Sequence, residues 1–179
     1  MYIFCIAGLA SYRRHPLSSN VRRHKMHSLL PTEQLPLTLT LTAEIRESDR
    51  ARIVENVVEF NNTQAGTGNG RSLFVLLEDE KNEVTGGLLG STSRGWLLVD
   101  HLVVPASHRR LGVGTKIMKL AETEAIARGC TDAWLNTFEF QARGFYEKLG
   151  YTCFGELQDY PIGFSRFFMK KSLSASPQQ

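Results

Sequence analysis

From Leu37 onward the hydrophobic and polar positions follow two distinct periods. Leu37-Thr-Leu-Thr-Leu-Thr42 alternates strictly, which predicts a half-buried strand. After Glu47-Ser-Asp49, Ile53, Val57 and Phe60 recur at helical spacing with Val54 and Val58 beside them, which predicts an amphipathic helix. The stretch 61–70 is polar and glycine-rich and reads as a loop. Two apolar runs, Leu73–Leu77 and Val84–Leu89, bracket the charged segment 78–83 and predict a hairpin. Trp96–Val104 is a further strand. Ile117, Leu120, Ala121 and Ala125 form one face of a helix that stops at Gly129, placed as a C-cap. Ala133–Phe138 reads as strand, Gln141–Leu149 as helix, and Tyr151–Leu157 with Phe164–Lys170 as a closing strand pair. The order β, α, β, β, β, α, β, α, β, β predicts an α/β (α+β) sheet with helices packed on it. No internal repeat is present.

Composition narrows this picture. The 179 residues suit one domain plus a tail, and 42% apolar with 22% charged residues is the balance of a globular chain. No apolar run approaches the roughly 20 residues of a membrane span. Cys5, Cys130 and Cys153 are the three cysteines. They lack CxxC spacing, which excludes a disulfide framework or zinc ribbon and fits a reducing compartment, with Cys130 and Cys153 expected as buried spectators. The net charge of +3 belongs to residues 1–36, which hold five Lys or Arg and one acid; the remainder carries −1. The body therefore offers no electrostatic case for nucleic-acid binding. In the tail, the apolar run Tyr2–Ala10 precedes the basic residues, the reverse of a secretory signal. Its Arg- and Ser-rich stretch resembles a mitochondrial transit peptide, but the amphipathic period is poor. The favoured reading is a disordered or cleaved extension over 1–36, a domain over 37–173, a flexible end over 174–179, and a cytoplasmic protein.

The chemistry concentrates in Val99-Asp-His-Leu-Val-Val-Pro-Ala-Ser-His-Arg-Arg-Leu-Gly-Val-Gly-Thr-Lys116. A buried strand runs to Pro105, turns, and enters a helix at Arg109-x-x-Gly112-x-Gly114. Helix N-termini present unpaired N–H groups and the positive dipole end, and so bind phosphates. Gly112 and Gly114 lack the Cβ atoms that would hold a pyrophosphate away from those amides. Arg109 and Arg110 add charge-assisted donors. The spacing fits neither a Walker loop nor a dinucleotide fingerprint.

A second segment follows a strand: Gln141-Ala-Arg-Gly-Phe-Tyr-Glu-Lys-Leu-Gly-Tyr151. Together the two strongly resemble the GNAT superfamily of acyl-CoA-dependent N-acyltransferases, over about residues 38–172. Arg109, Gly112 and Gly114 match its pyrophosphate loop. Ala142, Tyr146, Lys148, Gly150 and Tyr151 match its later helix. The family often has Asn where this chain has Glu139; Asn136, three residues earlier, is the expected stand-in.

The resemblance implies a mixed, mostly antiparallel sheet of six to seven strands with splayed central strands. It implies acetyl-CoA as cosubstrate without a metal, held by the backbone of Leu102, Val103 and Val104, by Arg109, Arg110, Leu111, Gly112, Val113, Gly114 and Thr115, and by Asn136 and Lys148. Tyr146 is implied as the general acid that protonates the departing thiolate, its ordinary pKa near 10 keeping it protonated at neutral pH. Asp100 is the candidate base or substrate anchor, ahead of His101 and Glu139. Strand parity lets one of Asp100 and His101 face the cleft unless a bulge intervenes. Trp96, Phe138 and Phe140 are candidates for shaping the acceptor pocket, and 61–70 and 158–164 for determining specificity.

The expected activity is direct acetyl transfer to a primary amine of a small molecule or peptide, with a longer acyl donor still open. The rival from another class is a non-catalytic acyl-CoA sensor. Neither nucleic acid nor membrane is an expected partner, and a homodimer would match a frequent habit of the superfamily.

Overall fold

The computed structural model describes residues 37–173, so the expectations for 1–36 and 174–179 lie outside the described residues. The chain divides between Thr67 and Gly68 into two compact units.

The described part of the first unit holds one helix, α1 (Glu47–Ala65), with no buried residue. The alternating segment Leu37–Thr42 forms no strand, and Leu37, Leu39 and Leu41 are all exposed. Alternation encodes a strand only where a neighbour supplies the ladder. Here Thr42 instead closes a local turn, its Oγ1 donating to the Glu44 carbonyl and accepting from the Glu44 N–H. The expected loop at Asn61 also begins late. Nothing in Asn61-Asn-Thr-Gln-Ala65 breaks a helix, and Thr63 Oγ1 bonds back to the Glu59 carbonyl at 3.0 Å, so α1 continues to Ala65.

The second unit is a six-stranded sheet with helices. Its elements are β1 (Arg71–Glu78), β2 (Val84–Ser93), β3 (Trp96–Val103), α2 (Val113–Ala127), β4 (Asp132–Phe138), α3 (Arg143–Lys148), β5 (Thr152–Leu157) and β6 (Arg166–Ser172). The strand order is β1-β2-β3-β4-β6-β5. All neighbours are antiparallel except β3 and β4. The predicted mixed, mostly antiparallel class is the one observed, with six strands rather than seven.

One face of the sheet carries the core. Leu97 and Val99 of β3, Ala133 and Leu135 of β4 and Phe167 and Met169 of β6 are buried, together with Ile117, Met118, Ala121 and Ala125 of α2. Leu120, expected on that helix face, is 60% exposed. Ile117 and Met118 start the buried stripe and Ala121 and Ala125 continue it, which turns Leu120 outward. Cys130 is buried as expected, but Cys153 is exposed on the edge strand β5, where the register shifts between Cys153 and Gly155. Among the described residues no helix is long and apolar enough to cross a membrane.

A part-buried polar cluster ties α2 to β6 and to Tyr151, just ahead of β5. Glu122 of α2 accepts from Tyr151 Oη at 3.0 Å and from Lys171 Nζ of β6 at 2.6 Å.

Candidate active site

The site begins where the two parallel strands part. β3 and β4 pair from Trp96↔Asp132 to Val99↔Leu135 and no further. β3 continues to Val103 with β2 on its other side. Beyond Val99, the β4-facing edge of β3 therefore has no ladder partner, and its backbone groups are available to a ligand.

A bulge re-aims β3 at this point. Gly90 lies opposite Val99 and Leu89 opposite His101, leaving Asp100 as the extra residue. Leu97 and Val99 face the core before the bulge, Leu102 and Val104 pack on it afterwards, and Asp100 and His101 are both exposed between them. The parity argument that allowed one of the pair into the cleft is thus overridden, and both line the cavity.

That cavity, about 850 Å³, is bounded by the end of β3, the turn into α2, and the end of β4 with the start of α3. Asp100, Leu102, Val103, Val104, Arg109, Arg110, Gly112, Val113, Gly114, Thr115, Asn136 and Tyr146 all line it, as does His101. Leu111, exposed on the turn, and Lys148, exposed in the last turn of α3, lie outside that lining. Glu139 also lies outside it, because its backbone N–H and its carboxylate are both engaged with the backbone of Ser165. Phe140 is in the lining, whereas Trp96 sits at the opposite end of β3. The sequence reading gave no site role to Val99, His108, Thr137, Gln141 or Phe145, which also line the cavity, and gave Ala142 only as a motif match. Gln141, Ala142 and Phe145 fall in the second motif, which was the available signal.

The turn is built to present amides. Pro105 lies two residues past the end of β3, and Arg109 Nε donates to the Val104 carbonyl at 3.1 Å. Arg110 adopts φ +63° and Gly112 φ +78°, left-handed conformations that a non-glycine residue holds at a cost of about 1–2 kcal/mol. Gly112 is the N-cap of α2, and no side chain caps the helix. Its first N–H groups thus face the cavity without a side-chain acceptor. A Cβ on Gly112 would meet nothing within 4 Å, whereas one on Gly114 would lie 3.2 Å from Phe145 Cζ and 3.6 Å from Val104 Cγ2. Gly114 is therefore favoured by packing against the Phe145 ring as well as by ligand approach. An uncapped, glycine-lined helix N-terminus with two arginines beside it fits a pyrophosphate.

At the other wall, no side chain caps α3. Gln141 Oε1 instead accepts from the Phe138 N–H at 2.9 Å, and Thr137 Oγ1 accepts from the Ala142 N–H at 3.4 Å, which fixes the short helix on the end of β4. Asn136 does not serve as that cap; its Oδ1 accepts from Arg166. Tyr146 is 7% exposed, and burial pushes its pKa up to about 12. Its hydroxyl has no hydrogen-bond partner among the described residues, yet no buried polar side-chain atom is left unsatisfied. The hydroxyl therefore keeps access to the cavity that the residue lines. Asp100 has its pKa raised by desolvation in the concave fork, with His101 opposing the shift.

A sheet opened between parallel central strands, with an uncapped helix N-terminus at the opening, is the arrangement that the resemblance to acyl-CoA-dependent N-acyltransferases implies. Residues 38–151 match the acetyltransferase (GNAT) family. The chain is 37% identical over 125 residues to acetyltransferase Atu2258 of Agrobacterium fabrum, covering 70% of this chain and 90% of that protein. It is 38% identical over 95 residues to the blasticidin-S acetyltransferase of Streptomyces morookaense, covering 52% and 70%. The crystal structure of an acetyltransferase from Agrobacterium tumefaciens superposes with a TM-score of 0.72 at 33% identity, covering 76% of this chain and 99% of that one. The chain belongs to the GNAT family and is an acetyl-CoA-dependent N-acetyltransferase.

Proposed function

We propose that the enzyme acetylates the primary amine of a small-molecule acceptor by direct transfer, with Tyr146 as general acid and Asp100 as the proton acceptor. The observation that carries this reading is the Tyr146 hydroxyl, which has no hydrogen-bond partner among the described residues, on a residue that lines the cavity beside the free edge of β3. Acetyl-CoA supplies an activated thioester carbonyl and a thiol leaving group. The amides of Val113 to Thr115 with Arg109 and Arg110 bind its phosphates, and the backbone of Leu102 to Val104 orients its arm. N–H groups on the same strand edge stabilise charge developing on the carbonyl oxygen. Asp100, made more basic by desolvation, takes a proton from the amine, and Tyr146 Oη holds the proton the sulfur receives. A cytoplasmic location completes the reading.

A small molecule is favoured over a protein lysine as acceptor because a relative at 38% identity is named for acetylating blasticidin S. The test is a thiol-release assay of acetyl-CoA turnover against a panel of small amines and peptides. Turnover confined to peptides overturns the acceptor class. Tight acetyl-CoA binding with no turnover on any amine overturns catalysis in favour of a sensor.

A further inference from the structure

Arg166 opens β6 opposite Phe138 of β4, on the face of the sheet away from the core. Its guanidinium lies over three rings, 5.0 Å from the centre of Phe138, 5.4 Å from Tyr160 and 5.8 Å from Phe168. Nε donates to Asn136 Oδ1 at 2.8 Å, and Nη2 donates to the same oxygen. A guanidinium has five N–H donors, so most of them have no acceptor among the described residues.

What is missing is a counter-charge. Lys171, Arg128 and Arg143 are partly buried cations, and each meets a carboxylate: Glu122, Glu124 and Glu147. Arg166 is also partly buried, yet among the described residues it forms no ion pair. A guanidinium drawn partly out of water loses solvation that an anion would repay, and cation–π contacts with a neutral amide repay only part. No donor is sealed off, because no buried polar side-chain atom lacks a partner. Nη1, the guanidinium nitrogen without an acceptor among the described residues, is therefore not sealed from solvent; Arg166 stands behind Asn136, outside the residues that line the cavity.

Its position gives this meaning. Asn136 lines the cavity at the fork, one residue beyond the last β3–β4 pair, alongside Asp100. Phe140 lines the same cavity, 56% exposed, and stacks flat on Phe138 with ring centres 5.2 Å apart. Asp100, Asn136 and Arg166 stand on the successive strands β3, β4 and β6; with β3 and β4 parted beyond Val99, the outer two are at least about 10 Å apart.

We propose that Arg166, held by Asn136 and its ring cage, is the specificity determinant for an acceptor carrying a carboxylate at the end of a flat apolar spacer remote from its amine. This rests on the acetyl-transfer reading above and names the substrate class. The amine lies toward Asp100, the spacer lies against Phe140, and the carboxylate pairs with the open edge of Arg166.

The test uses three matched acid/amide pairs: 4-(aminomethyl)benzoate and its benzamide, 6-aminohexanoate and its amide, and β-alanine and its amide. Binding to the CoA-saturated protein is measured by calorimetry and acetylation by thiol release. In at least one pair the acid is expected to be preferred by about 10-fold to 100-fold, chiefly through KM. Arg166→Gln collapses that ratio to about one, Arg166→Lys restores part of it, and CoA affinity is the same in all three proteins. No acid preference in any pair overturns the proposal, as does an equal loss for acid and amide in Arg166→Gln, which is the signature of a merely structural clip. Failure of the transferase reading looks different. The native protein would then not bind CoA, or would bind the acid in an Arg166-dependent way while acetylating no amine.

Discussion

Tyr146 and Tyr151 pack with their rings 6.0 Å apart at 70°, yet among the described residues only Tyr151 spends its hydroxyl on a protein group, Glu122. The two oxygens should therefore separate stability from turnover. Tyr151→Phe removes a donor from a carboxylate still held by Lys171 and should cost about 1–2 kcal/mol, with turnover retained in the folded fraction. Tyr146→Phe loses no protein hydrogen bond, so its Tm should stay close to that of the native chain. Turnover should fall on the order of 10²-fold with acetyl-CoA affinity unchanged. Thermal melts and single-turnover rates on both variants check this. Full activity in Tyr146→Phe would make that residue a packing tyrosine.

Alkaline stability follows from the same pair. Burial holds Tyr146 at about 12, and burial together with Glu122 holds Tyr151 higher still, whereas an unfolded tyrosine titrates near 10. Above that pH the unfolded chain sheds protons that the native chain keeps, so stability contributed by these groups is present below about pH 10 and lost as pH rises through the folded values. Urea midpoints measured from pH 8 to 11.5 should fall more steeply for the native protein than for Tyr146→Phe or Tyr151→Phe. Parallel slopes would mean that neither hydroxyl is desolvated.

Most of the framework was legible in the sequence because its elements carry their own period. The hairpin of β1 and β2, the strands β3 and β4, the helix α2 and the Arg109–Gly114 turn all announce themselves locally. What escaped depends on partners distant in sequence. The Leu37–Thr42 alternation has the pattern of a strand without the ladder. The exposure of Cys153 and Leu120 follows from edge position and helix rotation. The Asp100 bulge is a register event between β2 and β3 that no single-strand pattern contains. Arg166 meets Asn136 across 30 positions of chain, a contact created only when β6 pairs with β4.

The two glycines of the turn should fail differently. Gly112→Ala faces open space and should pay only the left-handed backbone cost, about 1 kcal/mol, with Gly112→Asn cheaper still. Gly114→Ala gains helix propensity but presses on the ring edge of Phe145, shifting the neighbour of Tyr146. It should weaken acetyl-CoA binding, read as a smaller ligand-induced rise in Tm. Adding Phe145→Leu, which removes the ring edge, should recover part of that loss. Simple additivity of the two changes would show that the contact is not responsible.

Asp100 offers a separation of opposite sign. Desolvation raises its pKa, so the charged form is penalised in the folded state. Its favourable contribution is present below the unfolded value near 4 and is lost as pH rises through the folded value. Asp100→Asn removes that penalty while keeping shape, so at pH 7 the variant should be at least as stable as the native chain. If Asp100 takes the amine proton, the same variant should be slower by about 10-fold to 100-fold. The acid-side limb of its kcat/KM profile, which in the native enzyme should lie above the ordinary aspartate range, should disappear. Melts at pH 4 and pH 7 and a pH–rate series from 5 to 9.5 decide the matter. A variant that is destabilised and keeps the native pH profile would make Asp100 a structural carboxylate, leaving His101 as the remaining titratable side chain of the bulge.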